Sequence, residues 1–289
     1  MSGTLGTVHA WGRMVKFPHS IFALPFALAG AALAAAEPGI AWPQVFWIIV
    51  AMVGARNAAM GFNRLADHAL DSRNPRTADR ELPRGRLSRR AVWVFTVLLS
   101  LLFCFAAFQL NTLCGLLSPV ALAIVFAYSY TKRFTWASHL ALGLALSIAP
   151  VGGWLAIRGS FSGVAWLLGA AVLFWVAGFD VIYACQDVDF DRGEGLFSIP
   201  ARFGVRRSLL AARGFHLAAV LALAGVGLLA RLHPIYWIGW GAIALLMLWE
   251  HRLVRQDDLS RIGVAFFNMN GIISVAYFAV VLVTVLWPG

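Results

Sequence analysis

The chain has 289 residues, of which 61% are hydrophobic and only 12% charged, and its mean hydropathy is +0.78. That balance excludes an ordinary soluble domain of this length and fits a polytopic membrane protein. The net charge of +10 does not signal nucleic acid, because the basic residues sit in short segments between apolar runs, with no DNA-reading motif and no aromatic-studded RNA surface.

Cys104, Cys114 and Cys185 stand in apolar or near-membrane surroundings without CxxC spacing, so neither a disulfide framework nor a zinc site is expected. No cleavable signal peptide is expected, since the first apolar run continues for a full span. One crossing takes roughly 20 apolar residues. In chain order this predicts an all-α integral membrane protein with nine transmembrane helices at 20–36, 43–62, 91–108, 113–130, 137–157, 162–183, 208–230, 234–250 and 262–286. Only Gln109-Leu110-Asn111-Thr112 separates the third from the fourth, the least distinct boundary.

Charge placement tests the count. With the amino end inside, the cytoplasmic segments carry Arg13 and Lys16, then Arg73 to Arg90, Lys132 and Arg133, Arg192 to Arg213, and Arg252, Arg255 and Arg261. The opposite side carries only Arg158 and Arg231. This asymmetry predicts nine spans in a bacterial-type inner membrane, amino end cytoplasmic and carboxyl end outside. Two cytoplasmic loops, 72–90 and 184–207, are much longer than the rest. Nine of the thirteen acidic residues fall in 67–81 or 180–194, beside those loops. No linker or low-complexity tract divides residues 1–289, which read as a single domain.

The second span is followed directly by Asn63-Arg64-Leu65-Ala66-Asp67-His68-Ala69-Leu70-Asp71. Every fourth residue of a helix returns to nearly the same face, so Asn63, Asp67 and Asp71 form a row. Tyr183-x3-Asp187-x3-Asp191 echoes it after the sixth span, at an offset of 120 residues. Four spans separate the two motifs, which suggests two parallel, pseudo-repeated four-helix halves plus a ninth helix, with the functional site between the halves.

Rows of oxygen ligands suit Mg²⁺, an ion that keeps several waters and is completed by substrate phosphates. A carboxylate at membrane depth costs about 2.5–3.5 kcal/mol and usually faces a polar cavity. Singly, Asp67, Asp71, Asp187 and Asp191 also read as solvated loop acids paired with arginines. Together, the two rows read as grips for Mg²⁺ ions bridging a diphosphate. Arg64, Arg73, Arg76 and Lys132 are placed to hold phosphate oxygens, although the positive-inside bias also accounts for cations there. A diphosphate at the mouth of a membrane cavity suggests a lipid diphosphate. Neutralised by metal it becomes a leaving group and produces an allylic carbocation, which an aromatic face stabilises; Tyr183 is the candidate. His68 turns away from the row, and neither it nor His19 has a second histidine four residues off, so both read as packing or interfacial groups. A secondary transporter with parallel halves is the alternative from another class, but the acids stand at the cytoplasmic ends of spans rather than at midplane. No Gly-rich nucleotide loop is present, so no cofactor beyond the metal is implied.

Asn63-x3-Asp67-x3-Asp71 and Asp180-x2-Tyr183-Ala184-x-Gln186-Asp187-x3-Asp191 resemble the two aspartate-rich motifs of the UbiA family of intramembrane aromatic prenyltransferases. Flanking runs add to the likeness: Arg73-Asn74-Pro75-Arg76-Thr77, Arg80-Glu81-Leu82-Pro83 with Gly85, Tyr128-Ser129-Tyr130-Thr131-Lys132-Arg133, and Ser198-Ile199-Pro200. The resemblance covers essentially the whole chain. It implies a nine-helix bundle around a central cavity capped by the two long loops, with Asn63, Asp67, Asp71, Asp187 and Asp191 holding Mg²⁺–diphosphate. It also implies an acceptor-activating or catalytic role for Asp180, and transfer of a polyprenyl chain from polyprenyl diphosphate to an aromatic ring carbon, with a base taking the ring proton. Ile21-Phe22-Ala23-Leu24-Pro25-Phe26 and the stretch 183–200 are most similar to the branch acting on 4-hydroxybenzoate or, in the futalosine route to menaquinone, on 1,4-dihydroxy-6-naphthoate. Other members use haem, a chlorophyllide or a glycerol phosphate lipid. Both quinone precursors carry a carboxylate, and Arg56, two turns before Asn63, is a candidate to meet it. An intramembrane ion pair or bonds to backbone carbonyls are its other reading.

Overall fold

The computed structural model describes residues 9–15, 20–36 and 39–287, the side chains of 20–22 excepted. Lys16 and His19 lie outside the described residues. Among those residues no strand occurs; residues 9–14 are helical, and eleven α-helices follow from Ser20 onward. They are α1 (Ser20–Ala34), α2 (Trp42–Ala66), the short α3 (His68–Arg73), α4 (Arg89–Leu110), α5 (Thr112–Thr131) and α6 (Ser138–Arg158). Next come α7 (Gly163–Ala184), the short α8 (Val188–Gly193), α9 (Ile199–Leu229), α10 (Ile235–Leu253) and α11 (Asn270–Leu286), the last entered through a π-helical turn at Val264–Met269.

A long helix stands at each predicted stretch, but seven of them, α2, α4, α5, α6, α7, α9 and α11, are long and apolar enough to cross a bilayer. The apolar part of α1 is short, Ala23–Ala34, and α10 ends in the polar Glu250-His251-Arg252. The predicted nine crossings therefore exceed what length and composition establish.

Local chemistry explains the helix ends. Ser88, Asn111, Ser162 and Ser198 each cap a following helix by accepting a hydrogen bond from a backbone N–H, which satisfies donors the helix leaves open. Asn111 alone separates α4 from α5, and its amide also donates to the Leu155 carbonyl at 2.8 Å, so a single residue makes the indistinct boundary. Gly204, at φ 78°, kinks α9 near its start, a conformation that costs glycine little. The stretch before it is the basic approach to the predicted seventh span.

The long helices close into a bundle in which α7 packs chiefly on α9 and α6, α2 on α4, and α1 lies between α6 and α11. Trp175 of α7, Phe26 of α1 and Tyr277 of α11 are buried at the centre, with ring centroids 4.9 and 5.2 Å from Phe26. One polar tie runs through this core: Trp175 Nε1 donates to Asn270 Oδ1 at 2.7 Å, and Asn270 Nδ2 to Glu250 Oε1 at 3.1 Å. The outer surface carries exposed Leu98, Leu101, Leu217, Leu228 and Leu245, a coat suited to lipid chains rather than to water. This is a multi-pass membrane protein.

Candidate active site

Asp67 stands where α2 stops and α3 begins, at φ −92° and ψ 4°. Asp187 stands at the matching break between α7 and α8, at φ −106° and ψ 8°. α3 and α8 are both six residues long and start at His68 and Val188, 120 residues apart. The echo in sequence is thus an echo of backbone path: a long helix, a break, which is Asp67 alone in the first case and the 3-10 turn Cys185–Asp187 in the second, and then a six-residue helix.

The two breaks face one another across a cavity of about 260 Å³ at one end of the bundle. Asn63, Asp67 and Asp71 line one side, Asp180, Tyr183, Asp187 and Asp191 the other, and Arg76 and Lys132 reach in between. Every acidic residue is engaged. Lys132 Nζ lies 2.7 Å from Asp67 Oδ2, with Arg133 3.7 Å from Oδ1. Arg80 Nη1 donates to both oxygens of Asp71 at 2.7 Å. Arg76, from the loop after α3, forks onto Asp187 across the cavity at 2.9 and 2.6 Å. Its third nitrogen donates to the Tyr183 hydroxyl at 3.0 Å while its guanidinium carbon lies 5.2 Å from that ring's centre. Burial pulls the Arg76 pKa down, but the hydrogen bond to Asp187 and the Tyr183 and Asp187 charges outweigh it, so Arg76 is held above its ordinary value. Asp191 accepts from Ser198 Oγ at 2.8 Å.

Asp180 is held differently. His139 Nδ1 lies 2.7 Å from Asp180 Oδ2, and the backbone N–H of Ile199 donates to His139 Nε2 at 3.2 Å. An Nε2 that accepts leaves the ring proton on Nδ1, so His139 donates to Asp180.

The donor set fits a hard divalent ion, being carboxylate and amide oxygen throughout. Asp67 Oδ1 is buried without a hydrogen-bond partner, an oxygen left for a ligand to satisfy. Among the described residues, no three carboxylate, imidazole or thiol groups gather into a ready cage. Mg²⁺ does not ask for one, because phosphate and water oxygens complete its shell.

The remaining predicted residues stand apart from this lining. Arg64 is buried behind Asp71 at 3.9 Å. Arg73 pairs with Glu194 at 3.0 Å on the exposed side. Arg56 donates to the Val15 carbonyl at 2.9 Å and approaches Asn57 Oδ1 at 3.4 Å, so the acceptor-carboxylate role stays a proposal. Arg80, His139, Tyr128 and Ser198 line the cavity without having been given a role from sequence. Arg80, Tyr128 and Ser198 belong to the flanking runs already noted, and His139 is a polar residue inside an apolar span. That last signal was available.

Fold and site together define an all-helical membrane protein with two acidic rows facing one another across a cavity that Arg76, Arg80 and Lys132 also line. The model of the UbiA prenyltransferase family matches residues 23–272. The chain is 36% identical over 233 residues to the 4-hydroxybenzoate octaprenyltransferase of Xanthomonas oryzae, covering 79% of this chain and 77% of that protein. A UbiA homologue from Aeropyrum pernix, solved in its apo form, superposes with a TM-score of 0.84 at 36% identity, over 92% of this chain and 97% of the other. A homologue from Archaeoglobus fulgidus bound to GPP and Mg²⁺ shares the fold, with a TM-score of 0.74 at 21% identity over 94% of this chain and 99% of the other. The chain belongs to the UbiA family and is a prenyltransferase.

Proposed function

We propose that this enzyme transfers a polyprenyl chain from polyprenyl diphosphate to a ring carbon of 4-hydroxybenzoate in quinone biosynthesis, with Mg²⁺ bound by Asn63, Asp67, Asp71, Asp187 and Asp191. The observation that carries the reading is the alternation of carboxylates and cations across the cavity. Asp67, Asp71 and Asp187 already hold Lys132, Arg80 and Arg76, so a metal–diphosphate can enter by exchange, its phosphate oxygens taking the cations and its metal the carboxylates. No buried charge is then left unpaired, the arrangement low dielectric penalises most. The acceptor follows the name of the Xanthomonas oryzae relative, and the donor class follows the ligand of the Archaeoglobus fulgidus homologue.

Bound metal would polarise the diphosphate as a Lewis acid. The chain's own residues do the rest. Arg76, Arg80 and Lys132 hold the diphosphate as its bond to the prenyl C1 breaks, and the Tyr183 ring, which already accepts a guanidinium on its face, shields the allylic cation. The acceptor ring attacks C1, a carbon–carbon bond forms, and Asp180, steadied by His139, takes the ring proton. Diphosphate leaves. We place the active site at the cytoplasmic face of nine spans, the amino end also cytoplasmic, with residues 1–289 a single domain of two four-helix halves plus one helix. The inner membrane of a bacterial-type cell is its setting.

Purified enzyme in nanodiscs, given Mg²⁺ and labelled polyprenyl diphosphate, should prenylate 4-hydroxybenzoate in preference to 1,4-dihydroxy-6-naphthoate. Asp67→Asn and Asp187→Asn should each lower kcat by about a hundredfold or more, the scale of losing a key electrostatic group. Arg56→Gln in the same assay should raise the acceptor KM alone if it meets the carboxylate. Preference for the naphthoate would overturn the acceptor, and full activity in either Asn variant the metal site.

A further inference from the structure

A second cavity, about 570 Å³, opens at the same end of the bundle between α9, the end of α10 and the connection that follows. It shares no lining residue with the acidic site. Four arginines line it: Arg206 and Arg213, two turns apart on α9, with Arg252 and Arg255. Against them stands one carboxylate, Asp257. Among the described residues none of the four arginines forms an ion pair, whereas Arg76, Arg80, Arg73 and Lys132 are all paired. The positive-inside bias explains why arginines lie on this side. It does not explain their gathering around one hollow whose lining holds a single carboxylate, since like charges at close range repel.

Two further features narrow the occupant. His251 forms part of the wall, and its buried Nε2 has no hydrogen-bond partner. The floor is apolar: Leu209 and Val254 are buried in a cluster with Val181 and Ile182 of α7 and with Cys185 just after it. Leu210, also lining the cavity, is exposed, as are Leu217 one further α9 turn pair along and Trp249 of α10, so the hollow adjoins the lipid-facing coat. Guanidinium forks match phosphate oxygens, and basic pockets between transmembrane helices on this side suit anionic headgroups.

We propose that the arginine cavity is a phosphate-oxyanion site, distinct from the catalytic one, that holds the headgroup of an anionic phospholipid. Free inorganic phosphate offers the same oxyanion chemistry, and competition separates the two sources. Delipidated enzyme is titrated with phosphatidylglycerol or phosphatidylcholine, and bound lipid is counted by native mass spectrometry. Wild type should favour phosphatidylglycerol. Arg213→Gln/Arg252→Gln should weaken phosphatidylglycerol by on the order of thirty-fold and leave phosphatidylcholine unchanged, and Arg255→Gln alone should weaken it about fivefold. Prenyl transfer in phosphatidylcholine nanodiscs should be unaltered in all of them. Phosphatidylglycerol that resists millimolar inorganic phosphate establishes the lipid. Displacement by that phosphate keeps the oxyanion site but overturns the lipid as its occupant. Equal retention of both lipids by wild type, with no phosphate binding, overturns the site, and that arm needs no variant to fold.

Discussion

His139 acts through Asp180 rather than on substrate. It is buried in the second position of α6, donates through Nδ1 and is fixed from behind by the Ile199 N–H. A base that must meet a ring proton gains from one anchored oxygen, as metal-bound side chains gain from their outer hydrogen bonds. His139→Ala removes that anchor and should lower kcat about ten- to a hundredfold while leaving the donor KM unchanged, because the diphosphate grips lie elsewhere. His139→Asn places an amide N–H near the position of Nδ1 and should recover much of the loss. A purely structural histidine would instead move both constants and the melting temperature together, with no gain from Asn. The sequence shows a histidine inside an apolar span but not its partner, because 41 positions separate it from Asp180 and no helical spacing links α6 to α7. The roles of loop residues are obscure in sequence for a related reason. Helical arithmetic places Asn63, Asp67 and Asp71 on one face, but it does not follow the chain through the turns from Asn74 to Ser88, so it picks Arg64, Arg73, Arg76 and Lys132 as phosphate holders and passes over Arg80, which stands on Asp71.

Elements were far more legible, because crossing a bilayer demands long apolar runs and those are visible in any window. The 120-residue echo was visible too, and the matched breaks at Asp67 and Asp187 give it physical content. What hydropathy cannot show is which helices touch. α1 and α6 meet so closely that a Cβ on Gly153 would overlap the Ala27 carbonyl, and one on Gly30 the Pro150 carbonyl. Small residues let membrane helices approach in this way. Gly153→Ala should therefore destabilise the protein by roughly 1–3 kcal/mol, the usual cost of forcing extra atoms into a packed contact. Its neighbour Gly152 has open space where a Cβ would stand, so Gly152→Ala should be neutral or slightly stabilising through helix propensity. Thermal unfolding in one detergent compares the pair, and equal melting temperatures would deny the close contact its importance.

At the scale of the molecule, the site is also a clasp between the two acidic segments and their loops. Arg76 and Asn74 of the first loop reach Asp187 beyond α7, and the Phe197 N–H donates to the Lys132 carbonyl at 2.7 Å, tying the second loop to the end of α5. A ligand bridging both acidic rows should then stabilise the whole bundle, but only if it resolves both signs of charge. Diphosphate alone takes Lys132, Arg80 and Arg76 from their carboxylates and leaves those acids unpaired. Mg²⁺ alone takes the carboxylates and strands the cations. Either loss costs more than a surface pair would, since breaking one side of a buried ion pair is strongly destabilising. Supplied together at about a hundred times their dissociation constant, they should add about 2.7 kcal/mol, a rise of several degrees, on the order of 5 °C or more for a chain of this size. Differential scanning fluorimetry with Mg²⁺, with diphosphate and with both is the measurement, and Asp187→Asn should abolish the joint effect while leaving the separate ones small. An equal rise with Mg²⁺ alone would mean that a metal cage forms without phosphate, contrary to the exchange of partners on which the catalytic reading rests.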